Sequence, residues 1–390
     1  MDRVFVPALL LLAAMHFLVD TFACVLQPLW PAMETRLDLQ SGSVLWLFLI
    51  WSLSTSLGQV AFGLAGDRYR FHWILWAAPV ISLVLISCVG LSTSPVVVGG
   101  LLLSSGLAVA AFHPEAAATA GNYLPEHRSR AMSVFALGGY LGQSTGPLYG
   151  GMVTDRFGFN GLAWGILWGL TAVLAIRVAM RRIKYRVNEQ PPEPVRSAES
   201  YTGKLRPVVL LVCAGVLRVT AAIGVPLALA FVLDARGATK TEIGFLQSSF
   251  LLGIGAGALI CGVFMQHRYE QRALSLLPFG VAALLAMVPA TSGVVLVFTV
   301  ALAGTFIGVT LPVLISYGQH LLPDRQRVAS ALMMGVTWGI GSMLVTGLTW
   351  CLRQTNRMDI VFICYSISVL FSGLLCFFLP QSTAGRDGGH

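Results

Sequence analysis

Charged residues are scarce in this sequence. They make up 11% of 390 residues, against 56% hydrophobic ones, where a soluble domain is about a quarter charged. A chain this apolar cannot cover a water-facing surface with polar groups, so lipid is its natural solvent. Long polar stretches are missing too, apart from one at 181–206. The cysteines Cys24, Cys88, Cys213, Cys261, Cys351, Cys364 and Cys376 all fall in apolar segments without CxxC spacing. They read as small hydrophobes in helices rather than as redox or metal groups. The sequence has no Walker loop, no metal-ligand spacing and no nucleophile triad. No cofactor, no metal and no enzymatic activity are therefore expected.

What remains is a succession of unbroken apolar runs of about twenty residues, the length of helix that crosses a bilayer. In lipid every backbone N–H and C=O must pair internally, which leaves helices and closed barrels. Barrel strands alternate apolar and polar residues, and these runs do not. The pattern predicts helices near 5–30, 43–65, 73–92, 96–122, 131–152, 161–180, 207–233, 243–265, 273–290, 294–320, 328–350 and 360–379. The fold expected is all-α and integral to the membrane, with twelve transmembrane helices in two pseudo-symmetric six-helix bundles. The bundles are residues 1–180 and 207–390, joined by a basic, Pro-containing cytoplasmic linker at 181–206. The first run follows Asp2 and Arg3 and has no small-residue cleavage site, so it is read as a retained helix.

Basic residues give the orientation. With the N-terminus inside, eighteen Lys and Arg fall on the cytoplasmic side and six (Arg36, Arg156, Arg236, Lys240, Arg353 and Arg357) outside. That asymmetry puts both termini in the cytoplasm. It also accounts for the net charge of +8 without a nucleic-acid partner.

The halves repeat at a shift of 198 residues. Pro114 and Leu124-Pro125-Glu126 answer to Pro312 and Leu322-Pro323-Asp324, and Pro28-Leu29 to Pro226-Leu227. After a one-residue slip, Arg128, Arg130, Ser133, Gly138 and Gly142 answer to Arg325, Arg327, Ser330, Gly335 and Gly339. A duplicated six-helix unit predicts a binding site near mid-membrane at the repeat interface.

Two six-helix halves joined by a basic loop resemble the major facilitator superfamily, across essentially the whole chain. Gly63-Leu-Ala-Gly-Asp67-Arg68-Tyr-Arg70 looks like that family's loop signature between helices two and three, with the usual Gly-Arg-Arg degraded to Arg70-Phe71-His72. The resemblance implies that Gly63, Asp67 and Arg68 stabilise one access conformation. In helix five, Gly142-Gln-Ser-Thr-Gly146-Pro147-Leu-Tyr-Gly150-Gly151 matches the GxxxGPxxGG pattern of the family's antiporters, with Ser133 at the more distant glycine position. The resemblance implies a gating role, sealing the interface between halves, for Gly142, Gly146, Pro147, Gly150 and Gly151. Ordinary close packing of small residues predicts the same pattern. Phe112-His113-Pro114-Glu115, with an Arg in helix seven, is similar to the fosmidomycin-resistance branch of efflux proteins.

A charge at mid-bilayer costs several kcal/mol, so each is a functional candidate. Among the acids only Asp20 and Glu115, and among the basic residues only Arg218, lie well inside a predicted span. Asp20 and Arg218 are 198 apart, equivalent positions that the pseudo-two-fold would face across a central cavity. Arg218 offers a fixed cation whose fork suits carboxylate or phosphate; Asp20 offers a protonatable acid. A buried ion pair locking the halves is the plainer alternative. His16 shares a helix face with Asp20, and Gln27 continues that face. His113 and Glu115 flank the kink expected at Pro114 and are read as a His–acid pair for proton coupling, the alternative being that Glu115 is wetted near the cytoplasmic end and pairs with a loop Arg. Gln143 and Tyr317 are further candidates for the solute site.

The expected function is secondary active transport by alternating access: proton-coupled antiport that exports a small organic anion or zwitterion, a drug or metabolite. The alternatives are proton-coupled uptake of an organic anion, and from other classes a membrane-embedded enzyme or a transporter-like sensor. The short polar stretch after Leu379 argues against the sensor. The partners expected are a small solute, protons and the lipid bilayer; the protein is expected to be a monomer in the inner membrane.

Overall fold

The computed structural model describes residues 5–68, 72–123, 127–183, 205–322 and 325–380. Among these there is no strand. The main helices are α1 (Phe5–Cys24), α2 (Trp30–Arg36), α3 (Val44–Arg68), α4 (Ile74–Cys88), α5 (Pro95–Tyr123), α6 (Arg128–Phe157), α7 (Trp164–Arg182), α8 (Leu205–Asp234), α9 (Lys240–Phe264), α10 (Glu270–Met287), α11 (Gly293–Leu321), α12 (Gln326–Ala331), α13 (Thr337–Gln354) and α14 (Val361–Cys376). Among the described residues, eleven helical stretches are long and apolar enough to cross a membrane. The first joins α1 and α2 over Val6–Arg36. α6 is the long helix that does not qualify on apolarity: it carries six glycines together with Ser133, Gln143, Ser144 and Thr145.

The first span is not one regular helix. Pro28 and Pro31 lack the amide N–H that would continue the ladder, and the chain tightens into a 3-10 turn at Gln27–Leu29 before α2. Its repeat partner Pro226 stays inside α8. Pro79, Pro114, Pro147, Pro278 and Pro312 also lie within helices. A π-turn at Leu332–Val336 separates α12 from α13. α6 ends at Gly158, whose φ of 67° with ψ of −175° is open to glycine but not to a residue with a Cβ. α9 opens on a capping box, in which the Thr239 amide donates to Glu242 Oε2 at 2.8 Å and the Glu242 amide to Thr239 Oγ1 at 3.2 Å.

The chain divides into two compact units. One comprises the described residues of Met1–Pro192 with Leu229–Ser248; the other those of Glu193–Ala228 with Ser249–His390. In the first, α1 lies along α6 and also meets α4, α5 and α7, while α3 packs on α5. In the second, α10 packs between α11 and α14, and α9 meets α11 where Gly253, Gly257, Gly304 and Gly308 lie against backbone of the facing helix.

The α1–α6 contact follows from one stripe of glycine. Gly138, Gly142, Gly146 and Gly150 recur every four residues. A Cβ on them would strike the carbonyl oxygens of Ala13, Phe17, Thr21 and Val25, which recur at the same interval along α1 and the residue just past its end. Close approach of this kind is what a small-xxx-small face provides where no hydrophobic effect pulls helices together.

Candidate functional site

Asp20 is buried on α1, with 2% of its surface exposed. Its carboxylate sits where α1, α5 and α6 meet. His113 of α5 places Nε2 3.1 Å from Oδ1, and His16, one turn earlier on α1, places Nε2 3.4 Å from Oδ2. Gln143 of α6 donates through Nε2 to Oδ2 at 2.9 Å. The His16 ring stacks on Phe135 with centroids 4.1 Å apart and meets the His113 ring edge-on at 5.0 Å. Room for it comes from Gly139, where a Cβ would lie 2.6 Å from His16 Nε2 and 3.0 Å from Asp20 Oδ2.

Both imidazoles are held from behind by backbone. Nδ1 of His16 is 2.8 Å from the Phe135 carbonyl, and Nδ1 of His113 is 2.8 Å from the Val109 carbonyl. A carbonyl oxygen only accepts, so each Nδ1 carries the hydrogen. In a neutral ring that leaves Nε2 bare, with its lone pair directed at a carboxylate oxygen. Two such contacts against an ionised, unprotonated group would be repulsive. A hydrogen on either Nε2 would turn its contact with the carboxylate into a hydrogen bond.

Glu115 stands apart from this cluster. The sequence suggested a His113–Glu115 pair, but the two side chains separate: His113 turns to Asp20, and Glu115 Oε1 meets His72 Nδ1 at 2.9 Å. On a helix, positions two apart do not face each other, so pairing within Phe112–Glu115 was geometrically excluded. α5 stays helical through Pro114.

Arg218 lies in the second unit at 1% exposure. Its Nη2 donates to the Leu274 carbonyl at 2.8 Å and Ser372 Oγ at 3.0 Å, and lies 3.7 Å from Cys376 Sγ. Nε and Nη1 are buried and have no hydrogen-bond partner among the described residues. A buried guanidinium with one anchored end and two unmatched donors is an uncommon arrangement, because orphan donors cost about 1–3 kcal/mol each.

Gln27 lies just past α1, at the start of the 3-10 turn. Its Nε2 is 3.5 Å from Cys24 Sγ, its backbone carbonyl accepts from Gln247 Nε2 at 3.1 Å, and its own Oε1 is buried without a partner. Tyr317 is placed differently from expectation. It is buried in the core of the second unit with Leu211, Ala214, Leu314 and Met333, and its hydroxyl donates to the Pro380 carbonyl. That hydroxyl is engaged as a structural tie.

Of the gating residues, Gly142, Gly146 and Gly150 are packing positions against α1. Gly151 faces Lys240 at the start of α9 and lies beside the Gly244–Pro147 contact, where a Cβ on Gly244 would overlap the Pro147 carbonyl. Asp155, one turn further along α6, accepts from the Thr241 amide at 2.7 Å and Thr241 Oγ1 at 2.6 Å, with Lys240 Nζ at 3.6 Å. No sequence signal had marked Asp155. A Cβ at Gly63 meets nothing within 4 Å, so close packing does not require glycine there. Asp67 and Arg68 close α3, but their side chains, and Tyr69 to Phe71, lie outside the described residues.

The profile of the Major Facilitator Superfamily matches residues 9–346. The chain belongs to that superfamily. It is 24% identical over 381 residues to the fosmidomycin resistance protein of Escherichia coli strain K12, covering 94% of this chain and 91% of that one. It is likewise 24% identical over 392 residues to the uncharacterized MFS-type transporter YfnC of Bacillus subtilis strain 168, covering 98% and 94%. Two solved structures share the fold. The nucleoside transporter NupG superposes with a TM-score of 0.74 at 12% identity, over 95% of this chain and 99% of that one. A bacterial homolog of the human lysosomal transporter Spinster, inward-facing and occupied, gives 0.67 at 13% identity over 95% and 96%. As a member of the major facilitator superfamily the protein is a multi-pass membrane transporter of small solutes and not an enzyme.

Proposed function

We propose that this transporter exports a small organic anion or zwitterion in exchange for protons, with His16, Asp20 and His113 as the proton-holding site and Gln143 as its fixed donor. In this reading the glycine-rich α6 is the twelfth span: at 1.5 Å per residue its 30 residues reach about 45 Å. Its polarity is tolerable because its glycine face lies on α1 rather than on lipid. The two six-helix halves, 1–180 and 207–390, work by alternating access in the inner membrane as a monomer, with both termini and the 181–206 linker cytoplasmic.

The observation that carries the proton reading is the pinning of both Nδ1 atoms to backbone carbonyls. It leaves the carboxylate facing two ring nitrogens that are tolerable neighbours only with protons between them. Arg218, with Nε and Nη1 unmatched, is the group proposed to receive the solute's negative charge, because a carboxylate or phosphate would satisfy both donors at once. Efflux rather than uptake is supported by the helix-five pattern and by the kinship with a protein named for fosmidomycin resistance. Glu115, tied to His72, is assigned a secondary part in coupling.

The test is flux in liposomes. Purified protein under an imposed pH gradient is expected to move an organic anion found in a thermal-shift screen, and Asp20→Asn is expected to abolish gradient-driven flux while leaving solute exchange without a gradient. If Asp20→Asn follows the gradient like the parent, proton exchange at this site is wrong. Direction in whole cells separates export from uptake.

A further inference from the structure

A second imidazole–carboxylate cluster lies in the other unit, on residues that the proposed proton site does not use. Glu270, at the first residue of α10, is 4% exposed. Its Oε2 is 2.9 Å from His267 Nδ1, on the 3-10 turn just before, and 3.2 Å from His320 Nδ1, in the last turn of α11. Its Oε1 accepts from Ser316 Oγ at 2.6 Å. The two rings stand 3.7 Å apart between centroids.

The repeat shows what is surplus here. Position 270 is 198 residues beyond position 72, and His72 makes the matching contact to Glu115 of α5 in the first half. Both halves thus tie the start of their third helix to their fourth by one imidazole and one carboxylate, with the two roles exchanged. One imidazole suffices for such a tie. The second half brings two to the same carboxylate oxygen.

We infer that His267, Glu270 and His320 form a binding site for a divalent transition-metal ion of the Zn²⁺ type. The three ligand atoms lie within 4.8 Å of one another. Around a tetrahedral Zn²⁺, with bonds of about 2.0–2.2 Å, ligand atoms stand roughly 3.3–3.5 Å apart. The 2.9 and 3.2 Å separations need only a few tenths of an ångström of opening. Ser316 holds the far carboxylate oxygen, so Oε2 is presented singly; such outer contacts orient metal ligands and raise affinity. The histidine side chains are 37% and 48% exposed. An ion can enter from solvent, and its fourth position stays with water. Two nitrogens and one oxygen favour zinc, cobalt or nickel over magnesium or calcium. Without metal, both Nδ1 atoms donate hydrogen to Oε2. With metal, each neutral ring carries its hydrogen on Nε2 instead, so no net proton need be released. Bound metal would fasten the start of α10 to the end of α11.

The test uses full-length, detergent-solubilised protein free of any polyhistidine tag, titrated with CoCl₂. The expected result is visible d–d absorption that saturates near one equivalent, is displaced by ZnCl₂ and is untouched by excess MgCl₂. Affinity should fall at least tenfold in His267→Ala and in His320→Ala. Ser316→Ala removes no ligand and no buried charge, and should weaken binding by about tenfold with the fold intact. Absence of the bands, bands that survive both histidine substitutions, or bands lost instead in His113→Ala would each overturn the assignment.

Discussion

Gly139 stands beneath the His16 ring, so close that a single added carbon would lie 2.6 Å from Nε2 and 3.0 Å from Asp20 Oδ2. The ring is also stacked on Phe135 and held at Nδ1 by the Phe135 carbonyl. Gly139→Ala is therefore expected to break the His16–Asp20 contact while leaving Gln143 on the carboxylate. Proton-driven flux should drop at least tenfold, and the gradient-free exchange rate should change less. Liposome flux with and without a pH gradient reads both.

Removal of Arg218 is expected to separate stability from transport. The side chain leaves two N–H groups buried and unmatched among the described residues, and an unsatisfied buried donor costs about 1–3 kcal/mol that an apolar side chain of similar length would not incur. Arg218→Met should keep or raise stability, by about 1–3 kcal/mol, while abolishing thermal shifts produced by organic anions. A large fall in Tm together with retained anion shifts would show Arg218 to be a structural strut.

The helices were legible because their signal is local: unbroken apolar length marks spans whatever surrounds them. Asp20, His16 and Gln143 were legible for a related reason, since rare polar groups in such spans stand out. What escaped was the partner of each group. His113 and Glu115 are two apart, yet they serve different carboxylate–imidazole contacts, and their directions depend on where α1 and α4 pack. Gly139 was hidden beside the better-known Gly142 pattern, since only the position of the His16 ring gives it meaning. Asp155 and Glu270 carry no local signal, because Thr241 for the one and Ser316 and His320 for the other come from helices distant in sequence.

The glycine stripe predicts a graded stability series. Gly146→Ala puts Cβ 2.5 Å from the Thr21 carbonyl and 2.8 Å from Cys24 Cβ, so α1 and α6 must part. Forced overpacking costs typically about 1–3 kcal/mol. Gly63→Ala, with nothing within 4 Å, should be neutral in thermal unfolding. Equal losses at both positions would contradict the packing account of the helix-five pattern.

Asp155 adds a second carboxylate to an α9 N-terminus already capped by Thr239 and Glu242. The exposed N–H groups of a helix's first turn favour a negative charge there, and a lost cap costs about 1 kcal/mol. Asp155→Ala should speed hydrogen exchange at the Lys240 and Thr241 amides several-fold while leaving those deeper in α9 unchanged. Asp155→Asn keeps an acceptor oxygen but not the charge, and should fall between. Since Gly151 and Pro147 press on the same turn of α9, release of this cap should also loosen the α6 end. Exchange confined to α9 alone would mean that the glycine contact holds the two helices together without the carboxylate.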